Sequence, residues 1–305
     1  MGRPAPRLGH VPKPLSLIAL VAFVLVDVVL VVLVFQHVHR APPGSGLGPA
    51  AATESPTPER KTNQQAFDFK PAQAASMDLA NDGTWVFATR GACEGRTNAT
   101  LWTSTKNGAS PTKRDPELKV ITAVQARSGG ELTVVGAGED CQARQRSSTD
   151  GGATWVDDPT ITRWYTSPSD PTVAVSPSKG ESKPGCTFSS LSQIDDDFAR
   201  VTCIDGDVVG SGDGGGKWLL LGRLDNSRTA VFTTFNAGYA LARFEGCAAQ
   251  LFSTKDSGRT WAPGGCIVGD PARGIAANDT LVAAVVGEDP QSYVSDDQGQ
   301  KFTQP

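Results

Sequence analysis

The chain has 305 residues, a formal net charge of −4 and a pI near 5.4, a balance that gives no electrostatic case for a nucleic-acid partner. Its three histidines, His10, His37 and His39, all precede residue 40, which excludes a histidine-based triad or a histidine-ligated zinc site from everything that follows. With 33 glycines, 21 prolines and few helix-forming runs, the composition suits many short strands joined by turns.

Residues 1–14 carry Arg3, Arg7 and Lys13 among several prolines and read as a short tail. Residues 15–35 are an apolar run broken only by Ser16 and Asp27, long enough to cross a hydrocarbon core about 30 Å thick. The apolar part of a cleaved secretory signal is only about 7–15 residues long and ends at a small-residue site. This run is longer and exits into Gln36-His37-Val38-His39-Arg40, so a single-pass, uncleaved signal-anchor is expected. The basic tail places the N-terminus in the cytoplasm and the remainder outside the cell membrane. Asp27 falls near the bilayer centre, where a carboxylate costs about 2.5–3.5 kcal/mol. Either so apolar a helix absorbs it, or it makes a polar contact with another membrane helix. Residues 36–63, rich in Pro, Ala and Gly as in Pro42-Pro43-Gly44-Ser45-Gly46, form a linker that holds the next domain off the membrane.

From residue 64 to 305 the chain repeats. Ser148-Thr149-Asp150-Gly151-Gly152-Ala153-Thr154-Trp155 has the pattern Ser/Thr-x-Asp-x-Gly-x-x-Trp/Phe. It returns through Ser211, Asp213, Gly215 and Trp218, through Thr254, Asp256, Gly258 and Trp261, and through Ser295, Asp297, Gly299 and Phe302. A worn copy, Ser104-Thr105-Lys106-Asn107-Gly108, opens the series. First positions at 104, 148, 211, 254 and 295 give spacings of 44, 63, 43 and 41 residues, the period of stacked four-stranded units. The Asp accepts hydrogen bonds from amides of its own turn, the Gly takes a positive φ at no steric cost, and the aromatic ring buries itself as the outgoing strand begins. Ahead of each box a turn precedes an apolar strand, as in Asn81-Asp82-Gly83 before Trp85-Val86-Phe87 and Asn236-Ala237-Gly238 before Tyr239-Ala240-Leu241-Ala242.

These residues resemble the Asp-box, or BNR repeat, of the sialidase-like β-propellers. The resemblance implies an all-β propeller whose boxes are structural turns between the third and fourth strands of each blade, opposite the ligand face. Five boxes imply five blades. The longest interval carries about twenty extra residues, and a sixth blade without a box, between Arg163 and Gly185, is the alternative.

On that blade plan, Cys93, Cys141, Cys203 and Cys247 fall at second-to-third-strand loops, and Cys186 and Cys266 fall where a new blade begins. All six then share one face. The economical pairing is Cys93 with Cys141, Cys186 with Cys203 and Cys247 with Cys266, in keeping with an oxidising compartment.

Several motifs lead nowhere. Gly210 to Lys217 has the wrong spacing for a phosphate loop, and Trp218 stands where Ser or Thr is required. Asp195-Asp196-Asp197 and Asp205-Gly206-Asp207 lack the spaced oxygens and closing Glu of a calcium loop and read as turns, so neither a metal nor a cofactor is expected. Sialidases of the resembled family use an arginine cluster, a Tyr activated by a Glu and an Asp acid/base, with a Phe/Tyr-Arg-Ile-Pro stretch that does not occur here. Of the three tyrosines, Tyr239 and Tyr293 are expected in blade strands away from the channel, and Arg127, Arg243 and Arg273 near it make at most an anion site. No catalytic residue is expected.

The expectation is therefore a non-enzymatic, membrane-anchored propeller that binds a protein partner or helps assemble a membrane complex. The alternative is a cell-surface glycan-binding protein or a sialidase-like hydrolase. The extra segment brings Trp164 and Tyr165, residue types enriched at binding hot spots. With Asp27 they are the candidate partner contacts, unless the segment is an unstructured loop or the remnant of a blade.

Overall fold

A computed structural model describes residues 74–305 apart from Glu245. The expected tail, span and linker, and Asp27 with them, lie outside these residues. Among the described residues no helix is long and apolar enough to cross a membrane. They form six antiparallel blades of a β-propeller, and the expectation of five is corrected.

Blade 1 consists of β1 (Ala75–Leu79), β2 (Trp85–Thr89), β3 (Thr100–Ser104) and β4 (Thr112–Arg114). Blade 2 consists of β5 (Val120–Arg127), β6 (Glu131–Ala137), β7 (Ala143–Ser148) and β8 (Val156–Asp158). Blade 3 has three short strands, β9 (Tyr165–Thr166), β10 (Ala174–Ser176) and β11 (Gly180–Ser182). Blade 4 holds β12 (Phe188–Gln193), β13 (Ala199–Cys203), β14 (Asp207–Ser211) and β15 (Leu219–Arg223). Blade 5 holds β16 (Ser227–Phe232), β17 (Gly238–Phe244), β18 (Cys247–Thr254) and β19 (Ala262–Ile267). Blade 6 has β20 (Ala272–Ala277), β21 (Val282–Val286) and β22 (Gln291–Ser295), with Thr303 bridged to Val294 in place of a full fourth strand.

The second strand shows why these sequences make blades. Successive side chains of a strand point to opposite faces, and in β2 both faces are covered. Val86 and Ala88 pack with Leu101, Ile121 and Val134 toward blade 2, while Trp85 and Phe87 pack with Ala276, Ala283 and Val285 of blade 6. A strand sandwiched this way reads as an unbroken apolar run, and each large side chain so buried contributes about 1.5–3 kcal/mol. The contact with blade 6 also closes the ring, helped by Asn278 Nδ2 donating to Ala80 O at 3.1 Å and Asn81 Nδ2 to Asp279 Oδ2 at 3.3 Å.

The repeated turns share one geometry. Oδ1 of Asp150 accepts the Ala153 and Thr154 amides at 2.9 Å each, and the Lys217, Thr260 and Lys301 amides bind Asp213, Asp256 and Asp297 in the same way at 2.9–3.0 Å. Each Ser or Thr hydroxyl donates to its Asp and accepts the box Gly amide, at 2.9 Å for Gly152, Gly215 and Gly258 and 2.8 Å for Gly299. Those glycines have φ between 82° and 92°, a region costly for any residue with a Cβ. The box turns are bonded to the first hairpin turns of their own blades, through Asn107 N to Gly83 O, Gly151 N to Gly130 O, Gly214 N to Asp197 O and Ser257 N to Asn236 O. Both kinds of turn therefore occupy one face, the box face.

The three disulfides occupy the other. Cys93–Cys141, Cys186–Cys203 and Cys247–Cys266 pair as expected, with Cα separations of 5.7, 5.8 and 6.0 Å. The first ties blade 1 to blade 2, and the other two lie within blades 4 and 5.

Blade 3 departs from the plan. The inner strands β1, β5, β12, β16 and β20 run from the disulfide face to the box face, whereas β9 runs the opposite way. Residues after β9 are held at the disulfide face, where Arg90 Nη2 donates to Ser167 O at 2.6 Å and the Phe188 amide to Pro171 O at 3.1 Å. The turn from β10 to β11 sits on the box face, with Ser176 Oγ donating to Gly214 O at 2.7 Å and Ser178 Oγ to Asp196 O at 3.3 Å. By direction, β9, β10 and β11 match the second, third and fourth strands of the other blades. No first strand precedes β9, which therefore borders the axis itself.

Candidate functional site

A central channel of about 510 Å³ is lined by the inner strands and by Arg163, Trp164 and Thr166 of the third blade. It adjoins a recess of about 400 Å³ on the disulfide face, and Ala74, Ala75 and Ser189 border both. The recess is built from irregularities in the inner strands. In β5, β12, β16 and β20 the register slips near the disulfide end, leaving Thr122, Ser189, Arg228 and Arg273 out of the ladder. A bulge of this kind re-aims its extra residue. The result is two hydroxyls and two guanidiniums at equivalent places around the mouth.

Arg228 and Arg273 line the recess and are half-buried, whereas Asp270 and Glu288 on its rim are exposed. Burial, reinforced by the neighbouring Arg243 charge, pushes the Arg228 pKa down to about 10. Burial also lowers the pKa of Arg273, partly opposed by Glu288. Both stay charged at neutral pH. The carboxylates are screened by water and the guanidiniums are less so, which favours an anionic group entering between the two arginines. Arg90 is anchored at the same mouth by its bond to Ser167 O, and burial takes its pKa down to about 10 while Asp170 acts the other way.

On the same face, residues next to the disulfides expose apolar side chains. Ile204 follows Cys203 and is 41% exposed, Phe244 pairs with Cys247 and is 43% exposed, and Val268, two residues past Cys266, is 77% exposed.

At the box end of the channel, Asp78 Oδ2 accepts the Ala126 amide at 2.9 Å. Burial raises the Asp78 pKa against the opposing pull of that bond and of Arg163. Burial lowers the Arg163 pKa, with Asp78 opposing the shift and Arg127 adding to it. Arg163 Nε is buried and has no hydrogen-bond partner among the described residues.

The sequence offered Trp164 as a candidate partner contact, with a blade remnant as the alternative, and the contact is corrected. Trp164 is 1% exposed, its indole N–H donates to Asp195 O at 3.1 Å and Asp196 O at 3.0 Å, and its ring meets Trp218 edge-on. It is a core residue of the third blade. Tyr165 beside it is half-buried, and burial with the nearby Glu181 raises its pKa. Tyr239, expected away from the channel, borders it. Asp195 accepts the amides of Asp197 and Phe198 as a turn residue, and among the described residues no group of His, Cys, Asp and Glu converges as metal ligands. The reading of the residues missed Arg228. Its signal was positional, since Arg228 and Arg273 each sit one residue into the inner strand of successive repeats.

No family model matches the chain, and no curated protein matches it. Among solved structures it is similar to YCF48 bound to D1 peptide, with 17% identity over 78% of this chain and 73% of that one, at a TM-score of 0.32. It is similar to SapL1 lectin in complex with alpha methyl fucoside, with 14% identity over 77% and 98% and a TM-score of 0.43. A third is the Trypanosoma rangeli sialidase in complex with a difluoro-KDN compound, with 11% identity over 76% of this chain and 46% of that one, at a TM-score of 0.33. None of these assigns a family or an activity to the chain.

Proposed function

We propose that the propeller is a non-enzymatic binding module, held outside the cell membrane by residues 15–35, which captures a protein partner on its disulfide face. The observation that carries this reading is the bulge-built recess with half-buried Arg228 and Arg273, on the same face as exposed Ile204, Phe244 and Val268 next to the disulfides. Arginine and aromatic anchors on a rigid frame are what a partner surface needs, and loops that do not have to be ordered on binding cost less affinity. The test is crosslinking of the full-length chain in its own membranes. The Arg228→Glu, Arg273→Glu double variant should recover at least about tenfold less partner at an unchanged melting temperature. Equal recovery would refute the reading.

The second reading, a glycan-binding or sialidase-like protein, is favoured by Tyr239 bordering the channel with Asp78 and Asp279. Turnover of a fluorogenic sialoside that disappears in Tyr239→Phe would establish it.

A further inference from the structure

The third blade has an open inner edge. Ser167 N donates to Val173 O at 2.9 Å, and Tyr165 pairs with Val175, so the backbone groups of these alternate residues point toward β10. Those of Trp164 and Thr166 must then point toward the axis. There Trp164 N meets the side-chain Oε1 of Gln193 at 3.3 Å, and among the described residues no strand pairs with this edge. In the other blades the position next to the second strand is filled by an inner strand of five to eight residues. Here it faces the channel of about 510 Å³.

We propose that an extended peptide segment of the partner enters the channel from the disulfide face, free C-terminus leading, and pairs antiparallel with β9 as the missing first strand. This rests on the protein-binding reading above and specifies the segment bound. The direction follows from the topology. Every other inner strand runs from the disulfide face to the box face, so a segment completing the blade in the same sense carries its C-terminus to the box end. The Arg127 charge acts on Arg163 there, and the buried Arg163 Nε–H has no hydrogen-bond partner among the described residues. Asp78 is the carboxylate that acts on Arg163, and the buried Arg163 Nε–H is the donor that a terminal carboxylate reaching this end would meet. Main-chain pairing supplies affinity with little sequence demand, as in other strand-addition sites. The recess with Arg228 and Arg273 adjoins the channel mouth, where acidic side chains of the same segment would pass.

The probe is a pool of random heptapeptides with free C-termini, applied to the full-length chain. Retained peptides should lose at least about tenfold in affinity when the C-terminus is amidated, when alternate backbone nitrogens are methylated, or when the chain carries Arg163→Gln. The Thr166 amide should become protected from hydrogen exchange in the complex. The N-methyl series uses the unaltered chain, so it decides even if Arg163→Gln fails to fold. A pool with no retained member, or binders indifferent to amidation and N-methylation, would overturn the proposal. If crosslinking to the partner is lost in the Arg228→Glu, Arg273→Glu variant while the peptide results are negative, the binding reading stands and the strand-addition site falls.

Discussion

Arg228 and Arg273 hold the same place in adjacent blades, each the residue at which the strand register shifts, between the pairs Ser227–Ala242 and Thr229–Leu241 in one case and Ala272–Val286 and Gly274–Val285 in the other. The spare residue in each strand turns a guanidinium from the ladder toward a shared recess. Repetition of one backbone irregularity thus makes a two-armed cationic mouth. Deleting Arg273 should restore regular pairing of β20 and abolish the recess. Partner recovery should fall as far as in the charge-reversal variant, whereas Arg273→Lys, which keeps the bulge and charge, should retain most of it. Equal recovery from the deletion and the parent would show that the bulges have no part in binding.

Trp164→Ala should destabilise the propeller by about 3–5 kcal/mol, the cost of deleting a large buried aromatic side chain. It also removes the indole donor from the Asp195 carbonyl and leaves the Asp196 carbonyl with Ser178 Oγ alone. Tyr165→Ala, at a half-buried position, should cost less than half as much. Urea unfolding of the two variants checks the order, and a Trp164→Ala chain as stable as its parent would contradict the assignment of blade 3.

The disulfides differ in the length of chain they close, 48 residues for Cys93–Cys141 against 17 and 19 for the others. On the loop-entropy account the longest loop stabilises most, by about 1 kcal/mol over the shortest. Comparing the Cys93→Ser, Cys141→Ser pair with the Cys186→Ser, Cys203→Ser pair in denaturant tests this order.

Acid should act through the box turns. Backbone amides lower the pKa of Asp150, Asp213 and Asp256, in the last case to about 2, and the Ser295 hydroxyl leads the same shift in Asp297. A carboxylate with a depressed folded pKa contributes stability that is present above its unfolded value near 4 and lost as pH falls through the folded one. The melting temperature should therefore drop steeply between about pH 4 and pH 2. Asp78, whose pKa is raised, contributes with the opposite sign. In Asp150→Ala combined with Asp213→Ala the drop should be shallower and start from a lower plateau. An unaltered acid limb would remove the boxes as its cause.

What was legible in the sequence follows from what repeats locally. Each box carries its own hydrogen-bond acceptor and its own glycine, so five units could be placed, and with them the disulfide face and all three bridges. Blade 3 was legible only as the alternative, a sixth blade without a box between Arg163 and Gly185, because its strands are two or three residues long and its outer turn, Ser176 to Gly180, has no Asp. Ser and Pro around Trp164 looked like a surface loop, although the indole fills a space enclosed by Trp218 and the Asp195–Asp196 turn. The recess was half legible. Arg273 and Arg243 were placed near the channel, but a bulge is a one-residue slip that the alternation of a short strand does not reveal, and Arg228 went unnoticed.

Among the described residues, no strand is shared between the sixth blade and the first, and the ring is joined by Trp85 and Phe87 packing on Ala276, Ala283 and Val285 and by the bonds of Asn278 and Asn81. The seam of the ring is thus a side-chain junction like those between other neighbouring blades. A circularly permuted chain, opened at exposed Asn226 between β15 and β16 and joined across the old seam, should keep all six sheets intact while moving the breach to a new pair of blades.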